Sequence, residues 1–190
     1  MESYGRKTGI WNEIYSEYQA VDLRNTDLAV EPGFDNCLRE FGEKTSYVLD
    51  FGCGTGDIIF QYIQNFPGKK GVGIDEAERG IEFARKTANM SGYRGLHFFT
   101  GNSSMLAGFG AGEFDGVILS NVLDVMPKKA DESVLRNLDR VLAPGGYWFI
   151  KLNPFYSPKD LKRFDYQKMG DHLYEEDGVL RLHQETTELA

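Results

Sequence analysis

This sequence has few of the residues that suit a disulfide framework, a membrane span or a nucleic-acid surface. Its 190 residues include only two cysteines, Cys37 and Cys53, which form no disulfide framework and suit a reducing cytoplasm. No apolar run approaches the roughly 18 residues of a membrane helix, and the N-terminus has no apolar segment like that of a signal peptide. Basic residues number 21 against 29 acidic ones, for a net charge of −8, which argues against a broad nucleic-acid-binding surface. We therefore expect a cytoplasmic protein without a membrane or nucleic-acid partner.

Predicted strands and helices alternate along the chain, which is typical of a parallel sheet with helices on both faces. We predict strands near residues 47–51, 70–75, 95–100, 114–120 and 146–152. We predict helices near residues 9–18, 31–42, 56–66, 76–91 and 130–142, with at most a short helix in 101–110. The fold class is therefore α/β, with a doubly wound, mostly parallel sheet. The length suits one domain over 1–190, with an N-terminal helical cap (1–45), a central core (46–152) and a C-terminal segment with a loop and a hairpin (153–190).

The most informative segment runs from Val48 to Asp57. An apolar run ends in Asp50, glycines occupy positions 52, 54 and 56, and an amphipathic segment follows. This pattern predicts a buried strand, a tight turn whose backbone can press against a ligand, and the start of a helix. Dinucleotide sites need the pattern G-x-G-x-x-G, but Asp57 stands where the third glycine belongs. Because an acid would repel a pyrophosphate there, the turn suits a ligand with a cationic or zwitterionic tail.

Five segments, in order, resemble the motifs of the class I methyltransferases that use S-adenosylmethionine. They are Val48–Gly56, Gly71–Asp75, Phe98–Ser103, Phe114–Asn121 and Arg140–Ile150. The resemblance implies a Rossmann-like methyltransferase fold, S-adenosylmethionine as the cofactor and S-adenosylhomocysteine as the product. It also implies an enzyme of the small-molecule type, which transfers a methyl group by in-line displacement and in which residues 46–152 bind the cofactor.

Acidic and amide residues near the strand ends are the candidate cofactor ligands. An ionised Asp75 can accept both ribose hydroxyls, in charged hydrogen bonds worth roughly 1.5–3 kcal/mol each. By resemblance, Asp50 lies near the methionine amino group, with an acid that holds the loop amides as the alternative. Asn102 stands where relatives have an aspartate that accepts from the adenine amino group. The predicted cofactor-binding residues are Asp50, Gly52, Cys53, Gly54, Gly56, Asp75, Glu76, Asn102, Ser103, Asn121 and Val122.

No histidine base can be assigned, and no metal site is expected. Many small-molecule relatives carry a histidine in the segment that here reads Asp124-Val125, and the histidines of this chain lie elsewhere. They are His97, His172 and His183. Orientation alone can supply up to roughly 7–11 kcal/mol to a displacement, and a base is needed only when the nucleophile must lose a proton. Asp124 is the candidate catalytic residue. Tyr15 and Tyr18, on the first predicted helix, either close over the site as a lid or pack on the domain.

The segment after the fifth predicted strand allows two interpretations. Asn153–Pro158 must be a loop because it holds two prolines, and residues 172–176 and 179–184 flank Asp177-Gly178 as a hairpin. The hairpin is either the antiparallel strand pair that relatives place after strand five or a flap over the active site. The flap is favoured, so the parallel sheet would lack its last strand pair. The resulting open edge makes a homodimer a candidate assembly.

Two other functions compete with methyl transfer to a small molecule. The chain could be a subunit or fragment that binds the cofactor without catalysis and serves a partner, which the missing histidine favours. An RNA or protein methyltransferase would need a basic or peptide-sized groove, which the sequence does not show. Residues 153–156 resemble a motif of enzymes that methylate the amino groups of nucleic acids, but they follow strand five rather than strand four. We therefore predict an enzyme that methylates a small molecule, with the acceptor left open.

Overall fold

The structure is a computed structural model that describes residues 2–125, 128–153, 157–164, 166–170, 173–176 and 179–182. Its main sheet has five parallel strands in the order β3-β2-β1-β4-β5. The strands are β1 (Tyr47–Phe51), β2 (Lys70–Asp75), β3 (Leu96–Thr100), β4 (Phe114–Ser120) and β5 (Leu142–Lys151). The α-helices of the described residues are α1 (Glu2–Ser16), α2 (Pro32–Lys44), α3 (Asp57–Asn65), α4 (Glu78–Ser91), α5 (Lys128–Val141) and α6 (Pro158–Arg163).

The centre of the main sheet, at β1, is buried on both faces. Neighbouring residues of β1 show the alternation, because Val48 packs into one apolar cluster with α2, α3 and α4, whereas Leu49 packs into another with α5. Both side chains are fully buried. A strand that is covered on both sides is typical of a parallel sheet between two helical layers. The predicted α/β fold class is therefore confirmed.

The fifth strand begins earlier than its sequence indicates. The strand is predicted to start near residue 146, but β5 starts at Leu142, which pairs with Phe114 ahead of an irregularity in the register. Gly145 has a φ of 77°, a backbone conformation that glycine adopts at little steric cost. The proline–glycine–glycine segment is therefore a distortion inside the strand rather than a turn that precedes it.

Helix α1 packs against α4. The backbone amide of Arg79, in the first turn of α4, donates to Asn12 Oδ1 at 2.9 Å. Ala77 precedes α4 and provides no side-chain cap of its own, so Asn12 satisfies an amide that the helix leaves open. The contact fixes α1 above the carboxyl ends of β1 and β2.

The predicted hairpin forms, but in a separate sheet. Strands β6 (Gln167–Gly170), β7 (Leu173–Glu176) and β8 (Val179–Leu182) pair antiparallel in the order β6-β7-β8. Neither β6 nor α6 was predicted from the sequence. The first turn of α6 is capped by Ser157 and Asp160. Within the described residues the hairpin does not pair with β5, and β8 lies against a 3₁₀ turn at 123–125. The predicted Asp177-Gly178 turn, His172, His183 and Pro154–Tyr156 lie outside the described residues.

No helix in the described part of the chain is long and apolar enough to cross a membrane.

Candidate active site

The glycine turn joins β1 to α3 and is tied to the neighbouring strand. The amides of Gly52 and Cys53 both donate to the carbonyl of Ile74, at 2.8 and 3.1 Å. Gly54 has a φ of 52°, and a Cβ added there would lie 2.7 Å from the Tyr15 hydroxyl. Gly56 also has a positive φ, but a Cβ there would press on Phe60 and Phe98 in the core. Gly54 therefore keeps backbone open toward a cavity, whereas Gly56 serves packing.

A cavity of about 730 Å³ lies above the carboxyl ends of β1, β2 and β4, where open α/β sheets bind ligands. Most of the predicted site residues line it. They are Tyr15, Tyr18, Asp50, Gly52, Cys53, Gly54, Asp75, Glu76, Asn102, Ser103, Asn121 and Val122. Two predicted residues do not line this cavity, namely Gly56 and Asp124. Trp11 also lines the cavity and was not predicted, although it lies one helical turn before Tyr15 on the same face of α1 and could have been found from that spacing.

Asp75 is fixed at the end of β2 by two backbone amides. Its Oδ2 accepts from Gly54 at 2.8 Å and its Oδ1 accepts from Ala77 at 2.7 Å. Burial raises the pKa of the carboxyl, and the two amide hydrogen bonds oppose that rise. Each carboxylate oxygen still has a lone pair to offer. The geometry thus holds a carboxylate at the cavity wall with acceptor capacity left over.

Asp50 lies deeper, at the end of β1, with only 2% of its surface exposed. Burial raises the pKa of its carboxyl to about 8, and the negative charges of Asp75 and Asp57 add to the rise. The alternative role, an acid that holds the loop amides, finds little support. The amides of Gly52 and Cys53 donate to Ile74, and that of Gly54 donates to Asp75. Asp50 is therefore a buried acid that faces the cavity without organising these amides.

The cavity wall is acidic. It carries the carboxyl groups of Asp50, Asp57, Asp75 and Glu76, and no lysine, arginine or histidine is among the described residues that line it. Burial, together with the charge of Asp50, raises the pKa of the Cys53 thiol well above its usual value. The thiol is therefore protonated and unreactive at neutral pH. Such a wall attracts a cation and repels a phosphate.

An aromatic row on α1 covers the cavity. Trp11 stacks on Tyr15 with ring centroids 5.6 Å apart, and Tyr15 meets Tyr18 edge-on at 5.8 Å. Tyr18 in turn meets Phe83 of α4 at 5.9 Å. Burial and the nearby charge of Asp75 raise the pKa of the Tyr15 hydroxyl. The row therefore packs on the domain and lines the cavity, and closure over the site as a lid stays a prediction.

The adenine end of the predicted site lies at the 3₁₀ helix Ser103–Gly108. Asn102 precedes this helix, and its Oδ1 accepts from the amide of Ser104 at 2.9 Å. That oxygen keeps a second lone pair, so the cap does not use up its acceptor capacity. Asn102 and Ser103 both line the cavity.

Asn121 stands beyond β4 in a strained conformation. Its φ is 54°, the only positive value among the described residues other than glycine, and strain of this kind costs of order 1–3 kcal/mol. Two contacts with Lys151 hold it there. The Asn121 amide donates to the Lys151 carbonyl at 2.8 Å, and Lys151 Nζ donates to Asn121 Oδ1 at 3.0 Å. Such over-determined strain is found at functional sites.

Asp124 lies behind the cavity wall. It is only 8% exposed, and its Oδ2 accepts from the backbone amide of Asn153 at 2.9 Å and from the Asn153 side-chain amide. Its Oδ1 is buried without a partner among the described residues. Asn153 itself lines the cavity. The observed contacts give Asp124 a positioning role toward Asn153, and its catalytic role stays a prediction.

The fold and this site define an α/β protein with a ligand cavity at the glycine turn between β1 and α3. The family described as "Methyltransferase domain" matches residues 48–146, and the chain belongs to that family. Demethylmenaquinone methyltransferase of Lactococcus lactis is 30% identical over 139 residues, which cover 72% of this chain and 54% of the relative. The same enzyme of Symbiobacterium thermophilum is 32% identical over 155 residues, which cover 76% and 57%. The chain thus spans about half the length of these curated relatives.

Solved structures confirm the fold. The 1,6-didemethyltoxoflavin-N1-methyltransferase of Burkholderia thailandensis, solved with 1,6-didemethyltoxoflavin and S-adenosylhomocysteine, has a TM-score of 0.72. The match covers all of this chain and 75% of that one, at 21% identity. PH0226 of Pyrococcus horikoshii has a TM-score of 0.67, with 93% and 86% covered at 22% identity. At these identities the similarity establishes a Rossmann-like methyltransferase fold.

Proposed function

We propose that this chain binds S-adenosylmethionine in the cavity above β1, β2 and β4 and directs its methyl group to a small-molecule acceptor. The acidic wall carries the proposal, since four carboxyl groups without a lining cation suit a sulfonium and an ammonium group. The named relatives, which include demethylmenaquinone and toxoflavin methyltransferases, support the same reading. The bound cofactor supplies a methyl group that an acceptor lone pair displaces in line, with the electron pair of the C–S bond passing to sulfur.

The residues of the chain fit this ligand from end to end. Asp75 has lone pairs for the two ribose hydroxyls, and Asn102 keeps one for the adenine amino group. Glu76 flanks the adenine edge, next to Asp75. The open backbone at Gly54 lets the ligand approach closely, because any side chain there would fill the space beneath Tyr15. Asp50 faces the methionine amino group, whose positive charge would offset the cost of ionising a buried acid.

The direct test is calorimetric titration with S-adenosylmethionine and S-adenosylhomocysteine, with NAD as the control. We expect micromolar binding of the first two and none of NAD, because the acidic turn disfavours a pyrophosphate. Labelled S-adenosylmethionine with a panel of small acceptors then tests transfer. If neither S-adenosylmethionine nor S-adenosylhomocysteine binds, the proposal is rejected.

A cofactor-binding chain without its own catalysis is the second candidate. The observation in its favour is that no histidine is among the described residues that line the first cavity. Binding without transfer to any acceptor, with activity restored by a partner or by a longer chain, would support it. RNA methylation is third, suggested by 25% identity over 126 residues to a tRNA N(3)-methylcytidine methyltransferase of Schizosaccharomyces pombe and disfavoured by the net charge of −8.

We also propose a cytoplasmic homodimer. In the described residues only β4 pairs with β5, and an unpaired edge strand is a template for a second chain. Light scattering across a range of concentrations should give the mass of a dimer, and a clean monomer would count against pairing at this edge.

A further inference from the structure

A second cavity of about 730 Å³ opens between α2 and one face of β5. Its wall is aromatic, with Phe34 and Phe41 from α2 and Tyr147 and Phe149 from β5. Phe149 meets Phe34 and Phe41 with ring centroids 5.4 and 5.7 Å apart. Flat apolar walls of this kind suit a planar ring.

The second cavity adjoins the first cavity at the start of α3 and the end of β4. Residues from the start of α3 and the end of β4 line both cavities. They are Asp57, Ile58, Ser120 and Asn121. These shared residues place the second cavity next to the first, and none of them belongs to the aromatic row of α1.

Lys151 places a cation at this junction. Side chains alternate along β5, so Lys151 lies on the same face as Tyr147 and Phe149, and it lines the second cavity. Its ammonium group has three donors, and the described contact uses one of them, to Asn121 Oδ1 at 3.0 Å. It forms no ion pair with any side chain that the structure describes. A half-buried ammonium with one neutral partner can bind an anionic oxygen.

The other charged groups around the second cavity leave this role to Lys151. Lys44 lies at the other end of the β5 face, over the ring of Tyr147 at 5.2 Å. The Glu31 carboxylate accepts from the amides of Phe34 and Gly33 and so caps α2. Glu40 also lines this cavity, and Asp57 lies at the junction, where it accepts from the Thr55 hydroxyl at 3.1 Å. Only Lys151 combines a positive charge with a position next to Asn121.

We propose that the second cavity is the acceptor site and that it takes a planar aromatic molecule with an acidic hydroxyl, whose oxygen binds Lys151. The inference rests on the proposed function. When the hydroxyl ionises, its O–H bond breaks, the proton passes to bulk water and the electron pair stays on oxygen beside the ammonium. The cation favours this form and lowers the pKa of the bound hydroxyl. Lys151 thus makes a nucleophile available without a histidine base.

The test uses 4-nitrophenol as the probe, because its ionised form absorbs visible light. With the cofactor absent, titration near the pKa of the free phenol should show that the bound probe has a pKa about one unit lower, as expected for a neighbouring cation. Lys151→Met should abolish the shift and weaken binding about tenfold, while Lys151→Arg should keep most of it. Lys86→Met removes the same charge from the exposed face of α4 and should leave the shift unchanged.

Cys37 provides an independent check of location. It is exposed and lines the second cavity, whereas the Cys53 thiol is protonated, so a bulky maleimide should label Cys37 selectively. The label should block 4-nitrophenol and leave S-adenosylhomocysteine binding intact. The proposal is overturned if Lys151→Met keeps the shift, if the labelled protein still binds the probe, or if the probe competes with S-adenosylhomocysteine. Failure of the unmodified protein to bind S-adenosylhomocysteine would instead reject the proposed function, which the probe experiment does not use.

Discussion

Replacing Asp50 by asparagine tests the charge state of the acidic cavity. Asp50 is buried, and burial together with the charges of Asp75 and Asp57 raises its pKa from 3.8 to about 8. In the unfolded chain the same carboxyl is exposed and ionises at its ordinary pKa. The folded protein therefore retains a proton that the unfolded chain has lost between about pH 4 and pH 8. Asparagine has the size of a protonated aspartic acid and cannot titrate.

The magnitude follows from proton linkage. A group with a raised folded-state pKa contributes stability that is full below pH 3.8, falls as the pH rises and is exhausted above about pH 8. Within this window the loss is about 1.4 kcal/mol per pH unit for one proton. From pH 5 to pH 7 the wild type should therefore lose roughly 2–3 kcal/mol of unfolding free energy from this residue alone. The Asp50→Asn variant should show no such loss.

Urea denaturation of both proteins at pH 5, 6, 7 and 8 measures the effect. The difference between the two proteins is the relevant quantity, because the pH dependence of all other groups is shared. It should grow in favour of Asp50→Asn at every step up to pH 7. A difference that stays constant with pH would falsify the assignment of a raised pKa. As a second readout, S-adenosylmethionine binding should strengthen with pH in the wild type, because a cation favours the ionised acid, and should be flat in the variant.

Three further substitutions test the cavity and the contact between α1 and α4. Asp75→Ala should weaken S-adenosylmethionine binding about ten- to a hundred-fold through lost charged hydrogen bonds, and unchanged affinity in a folded variant would contradict the ribose assignment. Gly54→Val should abolish binding of S-adenosylmethionine. The control is Gly68→Val, because Gly68 also has a positive φ but a Cβ added there has no neighbour within 4 Å, so this variant should only be less stable. Equal losses of binding in the two variants would mean that backbone strain explains both. Asn12→Ala should lower the free energy of unfolding by about 1 kcal/mol, because it removes the cap of α4. Denaturation would compare it with Asn89→Ala, which changes an exposed residue of α4. Equal losses of stability in the two variants would argue against the cap.

The features that the sequence predicts well depend on local patterns. The three glycines of the first turn all adopt positive φ values, as their spacing indicates, and the alternation of strands and helices is enough to establish the parallel sheet. The five motifs also place Asp75 and Asn102 at one cavity, because the carboxyl ends of parallel strands meet at one edge of a sheet. In each case the information lies within a few residues of the position concerned.

The features that the sequence does not predict depend on contacts between distant segments. Gly56 follows the same pattern as Gly54, but its surroundings include Phe98, and only the fold shows that this position packs in the core. Asp124 is predicted from its position after β4, but only the fold shows that its carboxylate accepts hydrogen bonds from Asn153. Strand β6 has four residues and no alternation of buried and exposed positions, so its pairing with β7 gives no local signal.

In the proposed reaction, the first cavity stabilises the positive charge of the methyl donor and the second cavity stabilises the negative charge of the acceptor. The first has four carboxyl groups and no cation among its described lining residues, so it favours a positively charged methyl donor and disfavours an anionic acceptor. An acceptor that reacts as an anion must therefore be stabilised from outside that cavity. Lys151 meets this requirement, because it lies on the far side of Asn121 and opens into the aromatic cavity. The strained conformation of Asn121, held at both ends by Lys151, fixes the boundary between the acidic and the basic side of the site.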